Sequence, residues 1–83
     1  NLNADLVEEI RITSLTVDGI LGTEKCFIRK AGMQYHVDLH AIVSAKISVK
    51  EGHELSHKLQ DTLKEVIPQL GNVLIHIEPD DYH

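Results

Sequence analysis

Two stretches of the chain repeat apolar residues every three or four positions, which is typical of helices that bury one side. The first covers residues 3–16, with Asn3 as the predicted N-cap and acidic residues in its first turns. The second begins at Ser48, which forms a capping-box pattern with Glu51, and it ends at Pro68. Its predicted apolar stripe consists of Val49, Leu55, Leu59, Leu63, Val66 and Ile67. We therefore expect two amphipathic helices.

The segment between the helices alternates apolar and polar residues, which is typical of strands with one buried face. A first strand is predicted over residues 20–30, where the alternation is less regular, and Gly32 supplies the turn after it. The second strand, residues 34–45, has the clearest alternation. Its apolar positions are Val37, Leu39, Ala41 and Val43. We expect this set to face a core and the intervening residues to face away from it.

A third strand is predicted after the second helix. Gly71 and Asn72 are expected to form a turn, and alternation begins at Val73. Pro79 stops the strand, and the acidic tail through His83 is expected to fray.

The predicted order of elements is α-β-β-α-β within a single domain, residues 1–83. Helices that cover one face of a three-stranded sheet give an α+β, two-layer, ferredoxin-like domain. A helix between the second and third strands allows those strands to lie side by side and parallel, through a right-handed crossover.

The charge balance restricts the partners. The chain has 8 Lys and Arg against 13 Asp and Glu, a net charge of −5 with neutral His. This argues against nucleic acid and anionic membranes, because both require a basic surface. No apolar run approaches the ~18 residues of a membrane-spanning helix, so we expect no membrane insertion by this segment. Cys26 is the single cysteine and cannot form an internal disulfide, which fits a reducing compartment.

Six histidines stand out in the composition, and several alternate with acids on the predicted strands. His36, Asp38 and His40 share one face of the second strand, and His76 and Glu78 share one face of the third. Adjacent strands lie ~4.8 Å apart, so one His from each strand and a carboxylate can converge on one ion. Imidazole with carboxylate suits Zn²⁺, and also Fe²⁺ or Mn²⁺. The alternative is a solvated strand face that binds nothing.

Three other positions carry weaker signals. His53 and His57 lie four residues apart on the second helix, a spacing that can ligate metal but that also suits an ordinary helix surface. Glu24 is an acid in the first strand, and a plain surface role is the alternative. Cys26 is expected to be a small, partly buried residue rather than a ligand.

The combined order and spacing of these motifs resemble the cytosolic C-terminal domain of cation diffusion facilitator transporters, from about Asp18 to Pro79. The matching motifs are Gly19-Ile20, Arg29, Gly32, Val37-Asp38-Leu39-His40, Gly52-His53 and His76-Ile77-Glu78-Pro79. Gly52 stands where the family usually has Ala, which lowers helix propensity by ~1 kcal/mol.

The resemblance implies a metallochaperone-like fold and a V-shaped homodimer that binds divalent cations, mostly Zn²⁺, near its interface. In zinc-binding members, ligands occur at the positions of His40, His53, His76 and Glu78. The position of Glu24 is often His in those members. His36 and Asp38 match metal-binding positions of the magnetosome-associated branch.

The resulting expectation is a regulatory metal-sensing domain on the cytoplasmic face of a bacterial inner or magnetosome membrane. Its partners would be a second copy and the transmembrane domain of the same transporter, and metal binding would favour a closed dimer that activates transport. Two alternatives remain: a constitutive dimerisation module without sensing, and a ferredoxin-like domain that binds a small ligand. The sequence shows no activated nucleophile and no acid–base pair, so we do not expect an enzyme.

Overall fold

The computed structural model describes residues 2–82 and contains the predicted order of elements. The elements are α1 (Leu2–Ser14), β1 (Gly22–Ala31), β2 (Gln34–Val43), α2 (Val49–Val66), β3 (Leu70–Pro79) and a 3₁₀ turn (Asp80–Tyr82). The sheet order is β1-β2-β3, with β1 antiparallel and β3 parallel to β2. The predicted α+β topology and the parallel crossover are therefore confirmed.

Both helices cover one face of the sheet, and a single core lies between the two layers. The alternating apolar set of β2 is buried as predicted, from Val37 to Val43. Ile10 of α1 and Leu59 and Leu63 of α2 are completely buried against it. Ser48 caps α2, and both hydrogen bonds of the predicted capping box with Glu51 are present. The opposite face of the sheet, which we call the open face, is left without a covering layer among the described residues.

Two predictions about α2 and β3 were wrong. Gly71 and Asn72 belong to β3, and the chain turns earlier, at Pro68 and Gln69. Burial of Leu70 and its pairing with Tyr35 outweigh the local turn preference of Gly-Asn. A Cβ atom at Gly71 would lie 2.7 Å from the Gln34 Oε1. The glycine therefore leaves room for the Gln34 side chain of the neighbouring strand.

The predicted apolar stripe of α2 is also too broad. Val49 is 92% exposed and Val66 is 54% exposed. Val49 lies six residues before Leu55, which is outside the three- and four-residue spacing of the buried face.

The ends of α1 differ from their prediction. Asn3 lies inside α1 rather than at its cap, since the helix already includes Leu2. The helix ends at Ser14, whose buried hydroxyl donates to the Ile10 carbonyl at 2.6 Å. A side chain that competes for the carbonyl of its own helix favours termination there.

The acidic tail is ordered rather than frayed as far as Tyr82. Asp80 begins the 3₁₀ turn, and its Oδ1 accepts a hydrogen bond from the Ala45 backbone N–H at 2.9 Å. The tail is thereby attached to the loop that follows β2. His83, which the fraying prediction also included, lies outside the described residues.

Candidate metal centre

The predicted His and acid residues of β2 and β3 meet on the open face of the sheet. The parallel register places His40 directly beside His76. Their rings stack with centroids 4.5 Å apart and planes inclined by 16°. Alternation explains this placement, because both residues are flanked along their strands by side chains that enter the core.

Each imidazole also contacts the carboxylate of the neighbouring strand, so the two pairs cross. His76 Nε2 lies 2.6 Å from the Asp38 Oδ1. His40 Nδ1 forms a hydrogen bond with the Glu78 Oε2. One contact runs toward the amino-terminal end of β2 and the other toward its carboxyl-terminal end, with the stacked rings between them.

Asp38 holds an oxygen that the protein leaves unsatisfied. Its side chain is 45% exposed as a whole, but Oδ1 is buried and has no hydrogen-bond partner. His76 Nε2 is close enough to Asp38 Oδ1 for an ion pair. The ring nitrogen is not aligned to donate a hydrogen bond to that oxygen. Oδ1 therefore keeps an acceptor position that no aligned donor among the described residues fills. A bound cation would satisfy it.

The donor set fits a first-row divalent cation. One ligand atom from each of Asp38, His40 and His76 lies within 4.8 Å of the other two. Tetrahedral Zn²⁺ with bonds of about 2.0–2.2 Å requires ligand atoms roughly 3.3 Å apart. Modest side-chain rotation achieves that spacing. The hydrogen bond from His40 Nδ1 to Glu78 leaves Nε2 of that ring as the metal ligand, an arrangement common around bound metals.

Apolar side chains lie in the same rows as this group. Asp38 pairs with Phe27 on β1 and with Leu74 on β3. Phe27 is 61% exposed and Leu74 is 53% exposed. These three residues, with Arg29, His36 and Asn72, help to line a cavity of about 340 Å³ on the open face. The group of Asp38, His40 and His76 therefore borders an exposed apolar surface, which the sequence interpretation did not identify.

Four predicted ligands do not join the group of Asp38, His40 and His76. Glu78 contacts the His40 ring and is not among the converging ligand atoms. His36 lies on the same face, but its Nδ1 accepts the backbone N–H of Asn72 at 2.9 Å. Glu24 lies in a β-bulge of β1, where residues 24–25 stand opposite His40. His53 lies on α2, and α2 covers the other face of the sheet. Within one chain, His53 is therefore separated from the group by the sheet.

Cys26 is half-buried on the core side of β1, as predicted. Burial raises the pKa of the Cys26 thiol, which disfavours the thiolate that metals and electrophiles require. The side chain behaves as a small core residue.

A second cavity, of about 460 Å³, lies where the loop after β2 enters α2. It is the kind of strand–helix pocket that a small-ligand domain would use. Its lining is mainly aliphatic, and His53 is the single ionisable residue among the side chains that line it. The His53 imidazole is therefore the one ionisable partner that a charged small ligand would find among the side chains that line this cavity.

The chain belongs to the family described as "Cation efflux protein, cytoplasmic domain", whose model matches residues 2–80. None of the helices between Leu2 and Tyr82 has the length and apolar character needed to cross a membrane.

Curated relatives agree with this family. The chain is 33% identical over 76 residues to Metal tolerance protein C1 of Arabidopsis thaliana, an alignment that covers 92% of this chain and 16% of the relative. It is 20% identical over 79 residues to the Manganese efflux system protein MneP of Bacillus subtilis strain 168, covering 95% and 27% respectively. The chain thus spans between 16% and 27% of the length of these relatives.

Solved structures share the fold. A variant of the MamM CTD superposes with a TM-score of 0.91 at 19% identity, covering 95% of this chain and 99% of that one. A cadmium form of another variant has a TM-score of 0.91 at 18% identity, covering 95% and 98%. A nickel form of a third has a TM-score of 0.88 at 17% identity, covering 92% and 96%. At these identities the likeness establishes the fold.

Proposed function

We propose that this chain is the divalent-cation-binding regulatory and dimerisation domain of a cation diffusion facilitator transporter. The observation that carries the proposal is the convergence of Asp38, His40 and His76, with a buried and unsatisfied oxygen on Asp38. The metal-loaded forms of MamM CTD variants and the metal-related names of the relatives support it.

In the proposed site, Asp38, His40 and His76 hold the ion and Glu78 orients His40. Three ligands leave one tetrahedral position for water or for a residue of a second copy. If His53 contributes to this site, it does so from that second copy, because α2 keeps it away from the group of its own chain. Glu24 and His36 stand at the border of the group and would contribute through rotation of their side chains. Zn²⁺ suits the donors best, and Fe²⁺ or Mn²⁺ are the alternatives.

Dimerisation is supported by the exposed apolar residues beside the site. Phe27 and Leu74 flank Asp38, so a second copy that covers this surface also shields the ion. Each chain carries −5, and two chains carry −5 × 2 = −10. A divalent cation near the interface offsets part of that repulsion, which is stronger at low salt.

Regulation follows if the ion binds the closed dimer more tightly than the open one. Such a difference in affinity shifts the population toward closure. The closed state would then act on the transmembrane domain of the same transporter, at the cytoplasmic face of a bacterial inner or magnetosome membrane.

The test is a calorimetric titration of chelator-stripped protein with Zn²⁺ at pH 7.5. We expect the tightest binding to be lost in the His40→Ala/His76→Ala double variant. Gln34→Ala is the control on the same strand, since Gln34 is exposed and is not one of the predicted ligands. Unchanged affinity in the double variant contradicts the site.

Solution scattering tests the switch separately. Compaction on addition of Zn²⁺ supports closure, and an identical scattering curve at saturating metal contradicts closure while leaving binding intact. The second candidate function, a constitutive dimerisation module, is favoured by the exposed Phe27 and Leu74. It predicts a folded dimer in which no Zn²⁺ binding depends on His40 or His76.

A further inference from the structure

The exposed side of α2 carries a second pair of imidazoles that takes no part in the open-face group. His53 and His57 lie four residues apart, one helical turn, and both are exposed. Their Nε2 atoms are 3.1 Å apart, and the rings stand nearly perpendicular at 80° with centroids separated by 4.5 Å.

This spacing is close to that of two ligands on one ion. Two nitrogens bonded to tetrahedral Zn²⁺ at about 2.0–2.1 Å lie roughly 3.3 Å apart. The two Nε2 atoms therefore need to separate by only a few tenths of an ångström, and the rings must rotate so that both Nε2 lone pairs point at the ion. Neither backbone movement nor a second protein chain is required.

We propose that His53 and His57 form a two-imidazole site for a borderline divalent cation, distinct from the site on the open face. The sheet separates the two sites within one chain, because α2 packs on the core side. The site opens to solvent, so the remaining coordination positions are filled by water. Borderline cations such as Zn²⁺, Ni²⁺ and Cu²⁺ suit imidazole ligands, whereas Mg²⁺ and Ca²⁺ prefer oxygen.

Without metal, the two nitrogens share one proton in a hydrogen bond, so one ring donates through Nε2 and the other accepts. Metal binding requires both Nε2 lone pairs. The shared proton then moves to the Nδ1 of its own ring, and both imidazoles remain neutral as ligands.

The helix holds the pair in place. The capping box at Ser48 and Glu51 fixes the start of α2, one turn before His53. The Ser56 hydroxyl donates to the His53 carbonyl at 2.7 Å, so it binds the backbone rather than a ring nitrogen. Asp61 lies one further turn along, and its carboxylate would attract a cation to this part of the helix.

The test uses the His40→Ala/His76→Ala protein, in which the open-face site is removed, and titrates it with Ni²⁺ and Zn²⁺ at pH 7.5. We expect residual binding of one ion per chain, with an affinity that does not depend on protein concentration. Adding His57→Gln should weaken it by about tenfold or more. Adding His57→Gln with Lys58→His, which keeps the number of histidines but moves one off the shared face, should weaken it equally.

Either of two results overturns the proposal: no residual binding, or residual binding that His57→Gln leaves unchanged. If the variants do not fold, judged by far-UV circular dichroism, histidine-ring NMR of the unaltered chain decides. Zn²⁺ must then shift the Nε2 signals of both His53 and His57, and unmoved His57 signals overturn the proposal. Loss of the open-face site alone would leave these results as they are, so the two proposals fail independently.

Discussion

The rings of His40 and His76 stack across a parallel strand pair, and each imidazole contacts the carboxylate of the other's strand. Two histidines so close together repel one another when both are protonated, and the two carboxylates offset that repulsion. Neutral rings in the same place offer two nitrogen donors to a single ion. The two imidazoles therefore suit a metal cation, which competes with protons for their nitrogen atoms.

Asp38→Asn should weaken Zn²⁺ binding while leaving the fold intact. The amide keeps the size of the side chain but removes the negative charge and the anionic ligand. An outer-shell partner alone contributes about 10–100-fold to metal affinity, so we expect a loss of at least about tenfold. Calorimetry measures the affinity, with Asp5→Asn on α1 as the matched control, because Asp5 is exposed and lies outside both proposed sites. Equal affinities for the two variants would show that Asp38 is not a ligand.

Glu78→Gln tests the orienting role of the carboxylate that binds His40. We expect a smaller loss than for Asp38→Asn if Glu78 only fixes the imidazole, because all three proposed ligands and the Asp38 charge at the ion remain. Competition with a coloured chelator compares the two variants in one assay. A loss larger than that of Asp38→Asn would instead make Glu78 a direct ligand.

Leu59→Ala should destabilise the domain by about 2–5 kcal/mol, because the side chain is fully buried between α2 and the sheet. Val49→Ala is the control on the same helix, and we expect a change within about 0.5 kcal/mol because Val49 is 92% exposed. Urea denaturation measures both. A large effect of Val49→Ala would show that this side chain is covered, as it would be in a dimer.

Cys26 should react slowly with a thiol reagent at pH 8 in the folded protein and faster after unfolding. Burial raises the pKa of its thiol, so the folded state holds the proton to higher pH than the unfolded chain does. Folding stability from this group is therefore full below the unfolded pKa and decreases as the pH rises through the folded one. Reaction with Ellman's reagent, with and without denaturant, measures the difference. Equal rates in the two states would contradict the burial argument.

The strand alternation allowed much of this site to be predicted. Period-two patterns around Leu39 and Ile75 fix which side chains leave the core, so Asp38, His40 and His76 share a face from sequence alone. The parallel register that places His40 beside His76 depends on how α2 packs, and that is a tertiary property. The exposure of Phe27 and Leu74 on the same face was not predicted, because the sequence does not indicate whether an apolar side chain is covered by another layer.

Local signals misplaced the start of β3. Gly71-Asn72 has the composition of a turn, but Leu70 pairs with Tyr35 and enters the core, which extends the strand through both residues. The long-range pairing of Leu70 with Tyr35 therefore determined that this segment is a strand, although the local sequence favoured a turn. The β-bulge opposite His40 is of the same kind, since it arises from the pairing of β1 with β2 and leaves no local pattern.

His40 and His76 are 76 − 40 = 36 residues apart, and the whole of α2 lies in the intervening chain. An ion held by both residues closes that segment into a loop, as a covalent cross-link between two strands would. The site exists only after α2 has crossed over the sheet, so the unfolded chain offers the ion no comparable position. A bound metal ion would then act as a reversible cross-link between β2 and β3. Chelation would remove that cross-link without changing a covalent bond of the protein.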